Sequence, residues 1–89
     1  MKISRLRTIT GPARSIELRF TPTGRAVATV YFDDDTKAEA WDQVAENLAT
    51  LADGTIITVT GVMKSRTWKD REDKPHTQEY LSIQLWGRV

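Results

Sequence analysis

Hydrophobic and polar positions along this chain fall into two periods. From Gly54 to Lys69 they alternate, with Ile57, Val59, Gly61 and Met63 on one set of positions and Lys64, Arg66 and Trp68 on the other. Strand side chains point to opposite faces in turn, so this stretch predicts a strand whose apolar face meets a core and whose basic, aromatic end faces away. Lys2 to Thr10, with Ile3, Leu6 and Ile9, suits an earlier strand ended by the breaker Gly11-Pro12. Ile16, Leu18 and Phe20 again recur at period two, predicting a half-buried strand or the bent continuation of the first. Thr21-Pro22-Thr23-Gly24 then favours a tight reversal, so the next strand should run antiparallel. Ala26 to Phe32 is apolar at nearly every position, as in a central strand covered on both faces or one curled into a small barrel.

The second period begins at Trp41. Trp41, Val44, Ala45, Leu48 and Leu51 share one helical face, Asp42 suits the helix's positive end, and Asp53-Gly54 supplies a left-handed stop. Asp70 to Pro75 reads as a charged loop. His76 to Leu85 returns as a strand, with Leu81, Ile83 and Leu85 inward and Tyr80, Ser82, Gln84 and Trp86 outward. The order predicts an all-β fold with one helix: a five-stranded OB-fold barrel, the helix between strands 3 and 4, with residues 1–89 forming a single domain. A small SH3-like barrel or a helix-on-sheet α+β fold uses the same elements, because periodicity does not close a barrel.

Composition narrows the chemistry. Eighty-nine residues can bury one continuous core, and the absence of cysteine removes disulfide scaffolds, thiol nucleophiles and Cys-ligated zinc. No apolar run approaches a signal-peptide core or a membrane span, so the chain reads as cytoplasmic, without a membrane partner. A net charge of +1 announces no polyanion partner, yet Lys2, Arg5, Arg7, Arg14, Arg19 and Arg25 precede residue 26 against Glu17 alone, whereas Asp33 to Asp53 is mostly acidic. A polyanion would therefore meet one side.

For catalysis the inventory is poor: His76 is the only histidine, and no Gly-x-Ser-x-Gly elbow, phosphate loop or His-x-x-x-His pair is present. No enzyme, cofactor, metal site or small-molecule substrate is expected. Asp33-Asp34-Asp35 lacks the spaced acceptors of a calcium loop and reads as a solvated turn. The interleaved charges of residues 69–74 read as a loop tip, or as a flap over a bound strand. Trp68, opposite Met63 and flanked by Lys64, Arg66 and Lys69, is either a packed surface aromatic or a platform for an unpaired base. Trp41 divides evenly between core and site. Trp86 and Tyr80 lie on the outward face of the last strand, for nucleic acid or for a subunit interface.

Three blocks resemble the bacterial single-stranded DNA-binding proteins. Glu17-Leu18-Arg19-Phe20-Thr21-Pro22-Thr23-Gly24-Arg25-Ala26-Val27-Ala28 is similar to that family's Leu-Arg-Tyr-Thr-Pro-Ser-Gly-x-Ala-Val-Ala turn. Trp41-Asp42-Gln43-Val44-Ala45-Glu46-Asn47-Leu48 is similar to its Trp-Gly-Lys-x-Ala-Glu-Asn helix start, and Gly54 to Lys69 to its Val-x-Gly-x-Leu-x-x-Arg-x-Trp strand. Thr77-Gln78-Glu79 resembles the Thr-Thr-Glu that opens the final strand.

The resemblance implies an OB fold, a homotetramer with a homodimer as the alternative, and single-stranded DNA wound over the barrels in replication, recombination and repair. RNA is a variant ligand, and the setting would be the nucleoid. Residue by residue, it implies base stacking by Trp68 and Trp41, Phe20 near the same surface, and phosphate contacts from Arg66, Lys64 and Lys69. Arg19 and Arg25 complete the expected DNA-binding set. The departures are specific. The family's long, basic hairpin between its second and third strands shrinks here to Asp33-Asp34-Asp35-Thr36-Lys37, Asp42-Gln43 stands for Gly-Lys, and Pro12 interrupts a Gly-x-Leu-Gly pattern. The sequence stops at Arg88-Val89, where the family continues into a disordered tail with an acidic end. Weaker or shorter-footprint binding is the expected consequence. Two rivals stand beside this reading: an accessory OB protein of primosomal type that docks a replication protein through Trp86 and Tyr80, and a purely structural barrel.

Overall fold

Strand alternation, one bend and one short helix account for the architecture in a computed structural model that describes residues 6–33 and 36–89. The elements are β1 (Leu6–Pro12), β2 (Ser15–Phe20), β3 (Ala26–Tyr31), β4 (Lys37–Trp41), α1 (Asp42–Leu48), β5 (Ile56–Lys69) and β6 (Pro75–Arg88). The strands form one sheet in the order β1-β5-β6-β4-β3-β2. All neighbours are antiparallel except β4 and β6, which run parallel because α1 and β5 intervene.

The sheet is not closed by a ladder. Its outermost strands, β1 and β2, are instead consecutive in the chain, joined at Ala13 and Arg14. The Ala13 N–H donates to the Thr55 carbonyl and the Arg14 N–H to the Tyr31 carbonyl, so two successive amides turn to opposite neighbours. This is the bent first strand of an OB fold, and the expected all-β class with one helix is what forms. Gly11 and Pro12, expected to end the first strand, stay within β1 and pair with Ile57 and Ile56. Proline is tolerated there because β1 is an edge strand whose outer amides serve no ladder among the described residues.

β3 is buried on both faces, as its nearly continuous apolar run predicts. Ala26, Ala28 and Val30 point to the main core while Val27 and Thr29 are buried on the opposite face. The main core also takes Ala38 and Ala40 from β4, Ala45 and Leu48 from α1, and Ile57, Val59, Leu81 and Ile83 from the hairpin. Each fully buried aliphatic side chain contributes about 1.5–3 kcal/mol, and the facing alanines let α1 lie close on β3 and β4. The Thr21 to Gly24 reversal forms as expected: the Gly24 N–H donates to the Thr21 carbonyl at 2.8 Å, with Gly24 at φ +86°.

Three sequence expectations need correction. β4 falls where only a turn was read, because the alternating apolar positions of Lys-Ala-Glu-Ala-Trp are alanines, which are small and poor strand formers. The helix stops at Leu48, six residues before Gly54. Its end tightens through Thr50 and Leu51 amides donating to Asn47 and Leu48 carbonyls, and Gly54 serves instead a separate turn at φ +91°. Trp41 is the last residue of β4 and lies outside the helical face.

The third correction concerns β6. Thr60 pairs with Leu85 and Gly61 with Ile83, so Gln84 is an extra residue and the ladder bulges there. Beyond the bulge the faces exchange: Trp86 packs against the core, whereas Leu85 is 71% exposed. The expected inward Leu85 and outward Trp86 are thus reversed.

Gly61 is where the two backbones meet most closely. A Cβ added there would lie 1.9 Å from the Ser82 carbonyl oxygen and 3.0 Å from the Ile83 Cα. Neither atom can rotate aside. Gly61→Ala is expected to lower stability by about 3 kcal/mol, the upper end for overpacking. Urea unfolding checks this, and a loss under about 0.5 kcal/mol would show that the bulge relaxes freely.

Candidate nucleic-acid interface

β5 alternates in burial from Ile56 to Val62 and is exposed from Lys64 to Lys69. Ile57, Val59 and Gly61 are buried on the core face, and Lys64, Arg66 and Trp68 emerge on the other, as the alternation predicts. The hairpin register places Tyr80 opposite Lys64, Gln78 opposite Arg66 and His76 opposite Trp68. Across β6 the same face continues to Glu39 and Trp41 on β4, then to Val27 and Thr29 on β3 and Glu17 and Arg19 on β2.

At the hairpin tip, the Trp68 and His76 rings stack with centroids 5.6 Å apart and planes inclined by 19°. His76 Nε2 lies 2.8 Å from Asp70 Oδ2, while Asp70 Oδ1 accepts the Glu72 and Lys74 amides, which closes the tight loop. One indole face is covered by imidazole, and Trp68 is still 46% exposed.

One step inward, the Arg66 guanidinium lies 4.5 Å from the Tyr80 ring centroid and its Nη2 donates to Glu39 Oε1 at 3.0 Å. Tyr80, then Glu39, raise its pKa above the ordinary arginine value, which fixes the positive charge. Glu39 is 1% exposed and its Oε2 is buried with no hydrogen-bond partner among the described residues. Beside it, Lys37 Nζ donates to Gln78 Oε1 at 3.2 Å.

At the far end, Arg25 covers the Trp41 ring at 4.6 Å and forms a two-pronged contact with Asp42, at 3.2 and 2.8 Å. Hydrogen bonding to Asp42 raises the Arg25 pKa, and the same bond lowers that of Asp42. Asp42 has φ +57°, a left-handed conformation that favours glycine. Arg19 Nη1 donates to the buried Thr29 hydroxyl at 3.0 Å.

Of the eight residues expected to bind DNA, the sheet therefore brings Trp68, Arg66, Lys64, Trp41 and Arg19 to one face, with Arg25 over Trp41. Lys69 has the opposite parity on β5 and pairs with Asp73 at 3.5 Å. Phe20, 62% exposed, pairs with Ala26 and shares the side of Leu18 and Ile16. Lys64 has no ion pair among the described residues. Trp68 and Trp41 stand apart: His76 and Ser82 are separated by on the order of 20 Å of strand, and Trp41 lies beyond Ser82's neighbour Glu39. Sequence reasoning missed His76, Lys37 and Glu39. Centring the hairpin on Glu72 pairs Trp68 with His76, whereas nothing in the pattern marks Glu39 as buried. Asp34, Asp35, Lys2 and Arg5 lie outside the described residues; Asp33 pairs with Arg14.

His76, first, and the Lys74 and Glu72 amides hold the Asp70 carboxyl below the ordinary aspartate pKa. A depressed folded-state pKa stabilises the loop above the unfolded value of about 3.9, and that contribution is lost as pH falls through the lower folded value. Carboxyl-carbon NMR should show Asp70 titrating below the free-aspartate midpoint and rising in His76→Gln. An unchanged midpoint in the variant would show that the imidazole has no part in the shift.

No family model matches the chain. It is 35% identical over 90 aligned positions to a protein of Paenarthrobacter aurescens named single-stranded DNA-binding protein, covering 80% of this chain and 53% of that one. It is 33% identical to the protein of that name from Paenarthrobacter nicotinovorans, over the same shares of both chains. A Streptomyces coelicolor single-stranded DNA-binding protein 2 is 34% identical, with 80% of this chain and 45% of that one covered. The chain spans about half the length of the curated relatives it matches. With the bent first strand, the helix after β4 and the Arg66-Thr67-Trp68 strand end all in place, the chain belongs to the bacterial single-stranded DNA-binding protein family.

Proposed function

We propose that residues 1–89 act as one nucleic-acid-binding domain that holds single-stranded DNA with little sequence preference and catalyses no reaction. The observation that carries this is the single sheet face on which Trp68 and Trp41 stand exposed among Lys64, Arg19, Arg66 and Lys37. A flat ring accepts any base, and each stacked base is worth about 1–3 kcal/mol; cations along the strand serve the phosphates. The two tryptophans stack on different nucleotides of one strand, with Lys64 contacting the backbone on the Trp68 side and Arg19 contacting it beyond Trp41. Lys69 and Phe20 border the path from the other side. Replication, recombination and repair are the settings in which such a strand is exposed.

β1 supports assembly with further copies of the chain. It is one of the sheet's two edge strands, its first residue Leu6 is 54% exposed, and Leu85 stands on the same face above the Thr8–Thr60 hydroxyl pair. An unpaired edge with apolar neighbours favours strand addition or stacking between copies. A homotetramer satisfies both surfaces and a homodimer one.

Tryptophan fluorescence titrated with oligo-dT at low salt tests the function. Quenching is expected, and Trp68→Ala should weaken binding about 5- to 150-fold, the equivalent of one stacked base, while Arg71→Ala in the loop changes it little. No quenching in the wild type would sink the reading; tighter binding to oligo-U than to oligo-dT would move it to RNA. Light scattering of the same samples counts the subunits.

A further inference from the structure

Two arginines on the binding face carry a carboxylate partner, and the two pairs differ in kind. Arg25 and Asp42 are both more than half exposed, so water and salt compete with their contact and a phosphate can replace it. Arg66 meets Glu39, whose side chain is 1% exposed. Arg66 also lies over the Tyr80 ring, its guanidinium carbon 4.5 Å from the centroid, and its side chain is 41% exposed. Its single contact is all that compensates the Glu39 charge, because Oε2 already lacks a partner among the described residues.

From this we infer that Glu39 is an internal counter-anion that withholds the Arg66 charge from the DNA backbone, so that Arg66 stays between Glu39 and Tyr80 and makes no phosphate contact. The inference rests on the single-stranded DNA reading and revises one residue's part in it. For Arg66 to swing toward a phosphate it would have to leave both Glu39 oxygens buried, charged and unpaired, an arrangement far costlier than the contact it would gain. If it stays, a phosphate approaching it also meets the glutamate charge behind it. The pair is neutral, so it neutralises no phosphate and releases no condensed counterion. Glu39 thereby attenuates binding from beneath the surface without touching the ligand.

Counterion release gives the readout. On single strands each neutralised phosphate steepens the dependence of log K on log salt by about 0.7. Glu39→Gln keeps the side chain's shape and an oxygen for Arg66 but removes the charge. It should steepen the oligo-dT slope by about 0.7 and tighten low-salt binding severalfold. Glu39→Gln/Arg66→Gln should lose that gain, and Glu46→Gln, which changes net charge equally on α1, should not produce it. A folded Glu39→Gln with the wild-type slope overturns the inference, as does a gain that survives in the double variant. The wild type provides a test that needs no variant: on saturation with oligo-dT the Glu39 carboxyl-carbon and Arg66 guanidinium NMR signals should stay as in the free protein. Movement of both toward unpaired values means that phosphate has taken Arg66, and the inference fails. Wild-type protein that binds no oligonucleotide overturns the functional reading and this one together, whereas binding with an unchanged Glu39→Gln slope overturns this one alone.

Discussion

The close seating of the β6 backbone on Gly61 governs both faces of the long hairpin. A side chain there would collide with Ser82 and Ile83, so only glycine lets β6 lie flat enough to carry its extra residue at Gln84. On one side of that point the ladder runs without interruption from Met63 and Leu81 out to Lys69 and Pro75. That regular stretch sets Trp68 against His76 and Arg66 within reach of Tyr80. On the other side the exchange of faces turns Trp86 to the core and Leu85 to solvent. Site and core thus share a strand pair without sharing its register.

The bend at Ala13 and Arg14 does comparable work at the sheet's other end. Because successive amides bond to Thr55, just ahead of β5, and to Tyr31 of β3, the chain from β1 to β2 borders both edges of the sheet and holds its two halves around the core. Ala13 is fully buried and Arg14, paired with Asp33, is exposed, as expected where a strand turns a corner with one residue in and the next out.

Much of this was legible where a strand's pattern is decided by its own solvent exposure. The face division of β5, the doubly buried β3, the Thr21–Gly24 reversal and the long hairpin all follow from local alternation and turn chemistry. What failed to show depends on neighbours. β4 has five residues, and its Glu39 looks like a surface residue until β5 supplies Arg66 above it. The bulge adds one residue to one strand, and period-two reasoning carried past it assigns every later side chain to the wrong face. The helix end was misplaced because Leu51 keeps the helical spacing and packs on the core from a turn, where only the backbone has changed. For the site, parity already separated Lys69 from Trp68 and placed Phe20 with Ile16 and Leu18; the family resemblance drew them together, and the sheet keeps them apart.

The structure shows where part of the acidic charge sits. Asp42 and Glu39 each sit against an arginine of the candidate face, and Asp73 sits against Lys69 at the hairpin tip. Asp42 shows what such an arrangement costs the backbone. Its φ of +57° suits glycine, the residue the family pattern has at that point, and aspartate tolerates it at some strain. Glycine would relax the turn but leave Arg25 without its carboxylate, free over Trp41. With Arg25 and Arg66 each matched by a carboxylate, the exposed Trp68 and Trp41 rings make up a larger part of what this face offers a ligand. Stacking depends little on salt, whereas phosphate contacts weaken steeply as salt rises. On the single-stranded DNA reading proposed above, such a face is expected to keep a larger fraction of its affinity at high ionic strength than one that relies on unpaired lysines and arginines.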